Sequence, residues 1–269
     1  MTPLHRALLP LLAALPVCCS QRSTPDAAVT PADPPPATAA APPPPTPSAS
    51  VGPRSFAEFR PSLHGFAFRN DFSGSPLPVN LGAAEKSFGL PSRFGLCGGM
   101  SSAAADYFLA RRDVPPDAKP PERGTPLYNF IYARQSASLG TLNAMALRFL
   151  EWMRLPEDGE DGTRARTAPE IPLIESALAR GEPVVLGLVL VDQTEEPWHN
   201  HQVLAYASSR AGDAPEIRVY DSNFPKRDDA VIRVETSNAL PVCTLIVPGR
   251  NPKHIRGLFR MSYTPVTPQ

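Results

Sequence analysis

The distribution of proline limits which part of this chain can fold. From Ser20 to Pro53 the sequence consists largely of Pro, Ala, Thr and Ser, and it contains no aromatic residue. A segment with so few large apolar side chains cannot bury enough surface to offset the entropy that it would lose on ordering. We therefore predict an extended, polyproline-II-like linker over residues 20–53, followed by one folded domain over residues 54–269.

Residues 1–19 have the pattern of a secretory signal peptide. A short basic region precedes the apolar stretch Ala7–Val17, which is too short to span a membrane. The stretch ends at Cys18 and Cys19, a position that resembles the processing site of a bacterial lipoprotein. Two outcomes stay open, namely membrane attachment through a lipidated Cys18 or Cys19 and ordinary cleavage. Both predict an exported protein, either in a bacterial cell envelope or secreted.

Charge and composition exclude several classes of partner. The chain has 26 basic and 26 acidic residues, so its formal net charge is zero. Without a basic stripe, binding to nucleic acid has no electrostatic support. The sequence has no apolar run of 18 residues, so it does not predict a membrane-spanning helix. We expect a monomer that needs no cofactor and no metal ion.

In the folded part, helical patterns come first and strand patterns follow, which predicts an α+β fold with an antiparallel sheet packed against the first long helix. The expected helices are Cys97 to about Arg112, Pro126–Ser138, Leu142–Arg154 and Glu170–Arg180. The expected strands are Pro183–Leu190, His201–Ser208, Glu216–Tyr220, Ala230–Glu235, Val242–Val247 and Ile255–Tyr263. A short strand is expected over Gly65–Asn70, and a loop over Pro156–Ala168.

Cys97 lies between glycines at the start of the first long helical pattern. The N–H groups and the dipole of a helix N-terminus favour an anion, so a thiol there is more easily ionised to the nucleophilic thiolate. The adjacent glycines allow a substrate to approach the backbone closely. The alternative is that Cys97 is a small buried residue that packs the helix onto the sheet.

Two residues of the strand-rich half can complement this thiol. His201 opens one predicted strand, and Asp221 directly follows the next. In an antiparallel hairpin these two positions lie beside each other at one edge of the sheet. A histidine oriented by a carboxylate can accept the proton of a thiol. Taken alone, each residue is also compatible with a structural role, as a strand-end histidine or a turn-initiating aspartate.

Two other readings of these residues stay open. His199, His201 and Asp221 could hold a metal ion, although no third histidine is close in sequence. Cys97 could instead form a disulfide with Cys243 in an oxidising compartment, which would make both cysteines structural.

The order and the surroundings of these residues resemble the papain-like cysteine peptidases, and within them the bacterial C39-like group. The resemblance rests on Gly95–Met100, Asn200–Leu204 and Tyr220–Pro225 and extends over about residues 60–265. It implies a papain-like fold with helices preceding a C-terminal antiparallel sheet. It also implies cleavage of peptide or amide bonds through a thioester.

The resemblance further implies a role for each site residue. Cys97 would be the nucleophile, His201 the general base and acid, and Asp221 the orienting residue, with Asn223 as an alternative third member. Members of this superfamily carry an oxyanion-hole glutamine shortly before the cysteine, and the sequence lacks one between Lys86 and Leu96. Asn70, Asn80 or Gln135 could supply that hydrogen-bond donor, and the sequence does not choose among them.

Two other functions use the same features. The domain could be a binding module that keeps the fold with a degenerate site. It could also be a transglutaminase-like acyltransferase, although the interval between Cys97 and His201 is longer than is usual in that group.

Overall fold

The computed structural model describes residues 54–73, 93–140, 144–192, 199–212, 214–236 and 240–269. These residues belong to one compact unit, Ser50–Gln269. The expected signal peptide, the linker and Asn80 lie outside the described residues. None of the described helices is long and apolar enough to cross a bilayer.

The helices follow the order that the sequence predicts. A 3-10 turn at Phe56–Glu58 precedes α1 (Pro61–His64), α2 (Cys97–Leu109), α3 (Pro126–Ser138), α4 (Ala144–Arg154), α5 (Thr163–Thr167) and α6 (Glu170–Ala179). The prediction for α3, Pro126–Ser138, is confirmed at both ends. At its N-terminus Thr125 caps the helix and a proline occupies the first turn. The helix after Cys97 ends three residues earlier than predicted.

The strands form an antiparallel sheet that curls. The strands are β1 (Phe72–Ser73), β2 (Arg93–Phe94), β3 (Val184–Val189), β4 (His201–Ala211), β5 (Ala214–Tyr220), β6 (Val231–Glu235), β7 (Val242–Ile246), β8 (Lys253–Ile255) and β9 (Gly257–Arg260). The small β1–β2 pair is separate, and the large sheet has seven strands in the order β8-β7-β6-β5-β4-β3-β9. The fold class is thus α+β, as predicted.

The last predicted strand, Ile255–Tyr263, is wrong as a single element. Its residues form β8 and β9, which lie at opposite edges of the large sheet although only Arg256 separates them. Two edges joined by one residue require the sheet to curl toward closure. The Arg256 guanidinium donates to the carbonyls of Val191 and Leu155, which fixes the point where the chain changes edges.

The predicted loop Pro156–Ala168 is wrong at α5. The backbone N–H groups of Thr163 and Arg164 donate to carbonyls at the start of this segment, which closes a compact turn before the helix. The hydroxyl of Thr163 donates to the carbonyl of Arg256, and the hydroxyl of Thr167 accepts from the backbone of Leu258. Contacts with β9 and the residue before it therefore stabilise α5, a helix that the local sequence pattern does not predict.

The predicted strand Gly65–Asn70 is also wrong. Its alternation is real, because Phe66 and Phe68 are buried, but the segment has no strand partner among the described residues. Five buried phenylalanines fix the irregular stretch onto the core, and they are Phe56, Phe59, Phe66, Phe68 and Phe72. Burying one such side chain stabilises the fold by about 1.5–3 kcal/mol. This segment is therefore held by side-chain packing and not by the backbone hydrogen bonds of a sheet.

Both faces of the large sheet are covered. Along β3, Val185 and Val189 pack in one apolar cluster together with α2, whereas Leu186 and Leu188 pack in a second cluster together with α6. Alternate residues of a strand point to opposite faces, so β3 is buried along its whole length. Helix α2 is buried on nearly all sides, and the sheet and α3 hold it in place.

A buried ion pair joins α2, α3 and the C-terminal residues. Arg134 Nε lies 2.7 Å from Asp106 Oδ2 in ionic contact, outside the alignment of a hydrogen bond. Asp106 also accepts from the hydroxyl of Tyr263 and from the backbone of Val266. Burial raises the pKa of Asp106 to about 6 despite these partners. Arg134 therefore has a structural role.

We expect Gly99→Ala to destabilise the domain by about 1–3 kcal/mol, because the added methyl group overpacks the contact between α2 and α3. A Cβ at Gly99 would lie 2.2 Å from the backbone oxygen of Ile131. Urea unfolding measures the effect. Ala133→Ser, on the exposed face of α3, is the control and should change stability by less than about 0.5 kcal/mol. An unchanged stability for Gly99→Ala would contradict this account of the contact.

Candidate active site

Cys97 is the first residue of α2, and two side chains from other elements satisfy the start of that helix. Leu96, at the N-cap, has no side chain that could bond to the first turn. Instead Asn70 Oδ1 accepts the N–H of Leu96 at 2.6 Å, and Gln135 Oε1 accepts the N–H of Gly99 at 2.9 Å. These bonds satisfy backbone donors that a helix terminus otherwise leaves without partners.

The glycines beside Cys97 allow close packing rather than unusual backbone angles. A Cβ at Gly98 would lie 2.2 Å from Gln202 Oε1 and 2.5 Å from Ser138 Oγ. A Cβ at Gly95 would lie 2.6 Å from Asn70 Nδ2. A larger residue at Gly98 would displace Gln202 and Ser138, and one at Gly95 would displace Asn70.

The structure brings His201 and Asp221 together as predicted. His201 is the first residue of β4, and Asp221 directly follows the last residue of β5, which is paired with Leu204. His201 Nε2 and Asp221 Oδ1 are 2.8 Å apart. Both side chains are buried, with 7% and 2% of their surface exposed. Water is thus largely excluded from this contact, which strengthens it.

Asp221 also shapes the turn that positions it. Its Oδ1 accepts the backbone N–H of Asn223 at 2.8 Å, and its carbonyl accepts the N–H of Phe224. This arrangement is an Asx turn. The sequence offered a turn-initiating role and an orienting role for Asp221 as alternatives. In the structure the same carboxylate contacts both the turn backbone and the His201 ring.

Asn223 lies at the side of this pair. Its Nδ2 is 3.3 Å from His201 Nε2, while its Oδ1 accepts from Asn70 Nδ2 at 3.3 Å. Nε2 can donate only one hydrogen, and the carboxylate of Asp221 is both closer and charged. Asp221 is therefore the residue that orients the imidazole, and Asn223 links it to the segment around Asn70.

The electrostatics of the three residues favour a protonated imidazole. Burial lowers the pKa of His201, but the charge and the hydrogen bond of Asp221 outweigh it. A hydrogen bond and a charge interaction with Cys97 add to this, and together they raise the pKa to about 10. Burial raises the pKa of Asp221, yet the charge of His201 and its hydrogen bond hold that pKa below its usual value.

His201 also interacts with Cys97. Since Nε2 is bonded to Asp221, Nδ1 is the nitrogen that remains for the thiol. An imidazole that is held at Nε2 and faces a thiol at Nδ1 can stabilise a thiolate and carry a proton.

Cys97, His201, Asn70 and Asn223 line one open cleft of about 800 Å³, whereas Asp221 is not among its lining residues. Leu139, Ala146, Phe149 and Leu150 form an apolar wall. Arg93, paired with Asp71, and Lys253 bring charge to the cleft. The cleft is large enough for part of a peptide-sized ligand.

No protein-family model, no curated protein and no solved structure matches this chain. Function therefore has to be inferred from the geometry of the site itself.

The structure also bears on the two alternative interpretations, a disulfide between Cys97 and Cys243 and a metal site. Cys97 and Cys243 are both free thiols, and Cys243 is buried in β7. The disulfide is thus not formed. Within the described ranges, no group of three His, Cys, Asp or Glu side chains could hold a metal ion.

Sequence reasoning missed two residues of the site. Gln202 follows His201 and packs against Gly98, and its Oε1 is buried without a hydrogen-bond partner in the described part of the chain. Lys253, on β8, lines the cleft, and its charge contributes to the lowered pKa of Asp221. Gln202 could have been found from its place beside His201. No local signal identifies Lys253, because only the curl of the sheet brings it close.

Proposed function

We propose that this domain is a cysteine hydrolase that cleaves amide or peptide bonds through Cys97, His201 and Asp221. The observation that carries the proposal is the buried 2.8 Å contact between His201 and Asp221, which leaves the other face of the imidazole to the thiol at the start of α2. The three groups have the roles of nucleophile, acid–base and orienting residue.

The reaction follows from these positions. The thiolate of Cys97 attacks the substrate carbonyl carbon, and the electron pair of the C=O bond moves to the oxygen. As the tetrahedral intermediate collapses, protonated His201 gives its proton to the leaving amine, and a thioester remains on Cys97. His201 then takes a proton from water, whose oxygen attacks the thioester. The C–S bond then breaks, the carboxylic acid leaves, and Cys97 is again a thiolate beside protonated His201.

The architecture supports a papain-like arrangement within the α+β class. The nucleophile begins a buried helix, and this helix packs against β4, which carries the histidine. The acid follows the adjacent strand β5. The chain order Cys97, His201, Asp221 is that of the family that the sequence resembles. We propose peptides or amides as substrates on this basis.

Acyl-enzyme formation tests the proposal without knowledge of the natural substrate. The purified domain is mixed with 4-nitrophenyl acetate, and released 4-nitrophenolate is followed by absorbance. We expect a rapid burst of one equivalent, with an acetyl group on Cys97 identified by peptide mass spectrometry. A domain that gives no burst and no adduct would support a non-catalytic binding module. Transfer of the acetyl group to an added amine in preference to water would support an acyltransferase.

Asp221→Asn should move the high-pH limb of the rate profile toward lower pH. The charge of Asp221 is the largest contribution that raises the pKa of His201, and burial lowers it once that charge is gone. The folded pKa of His201 lies above the unfolded value near 6.5, so its stabilisation is full below pH 6.5 and is lost as the pH rises through the folded pKa. The free energy of unfolding of the variant should therefore fall below that of the unmodified domain at pH 6, and the difference should be smaller at pH 10.

Acylation rates and urea unfolding between pH 5 and 10 measure both effects. Asp229→Asn is the matched control, because Asp229 is an exposed partner of Arg227. Its profile should coincide with that of the unmodified domain. A high-pH limb in Asp221→Asn that stays at the original position would contradict the role of the Asp221 charge.

A further inference from the structure

Two carboxamides flank the first turn of α2, and in both the oxygen is already bonded. Asn70 Oδ1 accepts the N–H of Leu96, directly before Cys97, and Gln135 Oε1 accepts the N–H of Gly99, two residues after it. Because a backbone N–H can only donate, these bonds assign the orientation of each amide. The two NH₂ groups are thus the parts that remain for other partners.

Asn70 lies on the side of Cys97 where the histidine and the aspartate are. Its backbone N–H donates to the carbonyl of Ser222 at 2.9 Å, in the turn that follows Asp221. Its Nδ2 donates to Asn223 Oδ1 at 3.3 Å. Asn70 therefore connects the turn before the nucleophile with the turn that carries the orienting carboxylate.

Within the part of the chain that the structure describes, the Nδ2 group of Asn70 uses one of its two hydrogens. An amide nitrogen carries two hydrogens, and a single bond, to Asn223, is made by Nδ2 within the described residues. Asn70 lines the cleft together with Cys97, and the missing side chain at Gly95 leaves room for its amide. The second hydrogen belongs to an amide whose Oδ1 is bonded to Leu96 N–H, one peptide unit before the backbone N–H of Cys97.

Gln135 is placed differently. It reaches α2 from α3, at Gly99, where a Cβ would meet the backbone of Ile131 and Gln135 itself. This contact belongs to the packing of the two helices. Gln135 serves as a remote cap for the first turn of α2.

We propose that Asn70 Nδ2 is the side-chain donor of the oxyanion hole and acts together with the backbone N–H of Cys97. The inference rests on the proposed cysteine hydrolase. When the thiolate adds to the carbonyl carbon, the C=O electron pair becomes a negative charge on oxygen, and both donors stabilise it. When the oxygen reforms its double bond, the C–N or C–O bond of the leaving group breaks. Preorganised donors of this kind stabilise the transition state more than the ground state.

Paired substitutions separate this role from helix capping. In Asn70→Asp and in Gln135→Glu, a carboxylate oxygen can still accept the backbone N–H, while the NH₂ donor is lost and a negative charge is added. Because each variant adds the same charge near the first turn, Gln135→Glu controls for the effect of charge. Asn70→Ala, which adds no charge, is the third variant, and thermal unfolding checks that each protein is folded.

Two reactions of Cys97 are measured for every variant, namely acetylation by 4-nitrophenyl acetate and alkylation by iodoacetamide. Acetylation passes through an oxyanion, whereas alkylation displaces iodide at a saturated carbon and forms none. We expect Asn70→Asp and Asn70→Ala to acetylate about 10²- to 10³-fold more slowly, which is the effect of one oxyanion donor. Relative to Gln135→Glu, the alkylation rate of Asn70→Asp should change less than about threefold.

The outcomes distinguish the two proposals. If Cys97 of the unmodified domain is not acetylated, the proposed function fails. If it is acetylated, but the Asn70 variants slow acetylation and alkylation equally or match Gln135→Glu in both, Asn70 has no oxyanion role and the hydrolase proposal stands. Selective loss of acetylation in the two Asn70 variants supports the inference.

Discussion

Replacing Cys97 with alanine is expected to abolish acyl-enzyme formation and to lower hydrolysis by at least about 10⁴-fold, which is typical for the loss of a covalent nucleophile. The thiol lies at the first residue of α2, in the cleft, and interacts with the His201 ring. No other described thiol lies in this cleft. Absorbance assays with 4-nitrophenyl acetate, and mass spectrometry of iodoacetamide-treated protein, measure the two effects.

The chain offers a matched control in Cys243. This thiol is buried in β7, and burial raises its pKa to about 12. It should therefore remain protonated and unreactive at neutral pH. Cys243→Ala should keep the acetylation rate within about threefold while losing some stability, since it removes a buried side chain. If Cys97→Ala retains hydrolysis and Cys243→Ala loses it, the nucleophile has been assigned to the wrong cysteine.

Replacing His201 with alanine is expected to lower hydrolysis by about 10²- to 10⁴-fold, the range for the loss of a general acid–base. The imidazole is the only side chain within the described part of the cleft that pairs with both a buried carboxylate and the thiol. Its loss removes the proton carrier and also leaves Asp221 as a buried charge without its main partner, so the variant should be less stable. The steady rate of hydrolysis and the rate of alkylation by iodoacetamide are measured together.

His254 provides the control for this experiment. It lies exposed on β8 and contacts Glu157 at 2.6 Å. His254→Ala removes a histidine from the same sheet and should leave both rates within about twofold. His201→Gln, which preserves more of the buried volume, should lose hydrolysis as His201→Ala does while folding more stably. Hydrolysis in a folded His201→Gln variant equal to that of the unmodified domain would refute the acid–base assignment.

The candidate site was predictable to the extent that local signals mark it. The glycine-flanked Cys97 begins a helix because apolar residues recur at helical spacing after it, and the structure places that helix from Cys97 to Leu109. The proximity of His201 and Asp221 followed from one hairpin, and the register of β4 and β5 brings them to 2.8 Å. A hairpin relates residues through short-range pairing, so its geometry can be read from the chain.

The residues that complete the site could not be chosen in this way. Asn70, Asn80 and Gln135 were equal candidates for the oxyanion-hole donor as long as only their positions in the sequence were known, and the structure describes Asn70 and Gln135. Their roles differ because of contacts between distant segments, namely Asn70 with Leu96 and Ser222, and Gln135 with Gly99. Such contacts depend on how an irregular, phenylalanine-rich segment packs on the core.

The sequence alone determined the helices-then-strands order, the α+β class and the candidate site residues Cys97, His201 and Asp221. Periodicity, capping residues and hairpin pairing act over a few residues, and each was readable in the chain. Only the tertiary structure decided that Ile255–Tyr263 divides between two edges of a curled sheet, and that Thr163–Thr167 is helical. The same structure placed Asn70, and not Gln135, beside the turn that holds Asp221. These features depend on buried hydrogen bonds and packing between residues far apart in sequence, which no local pattern encodes.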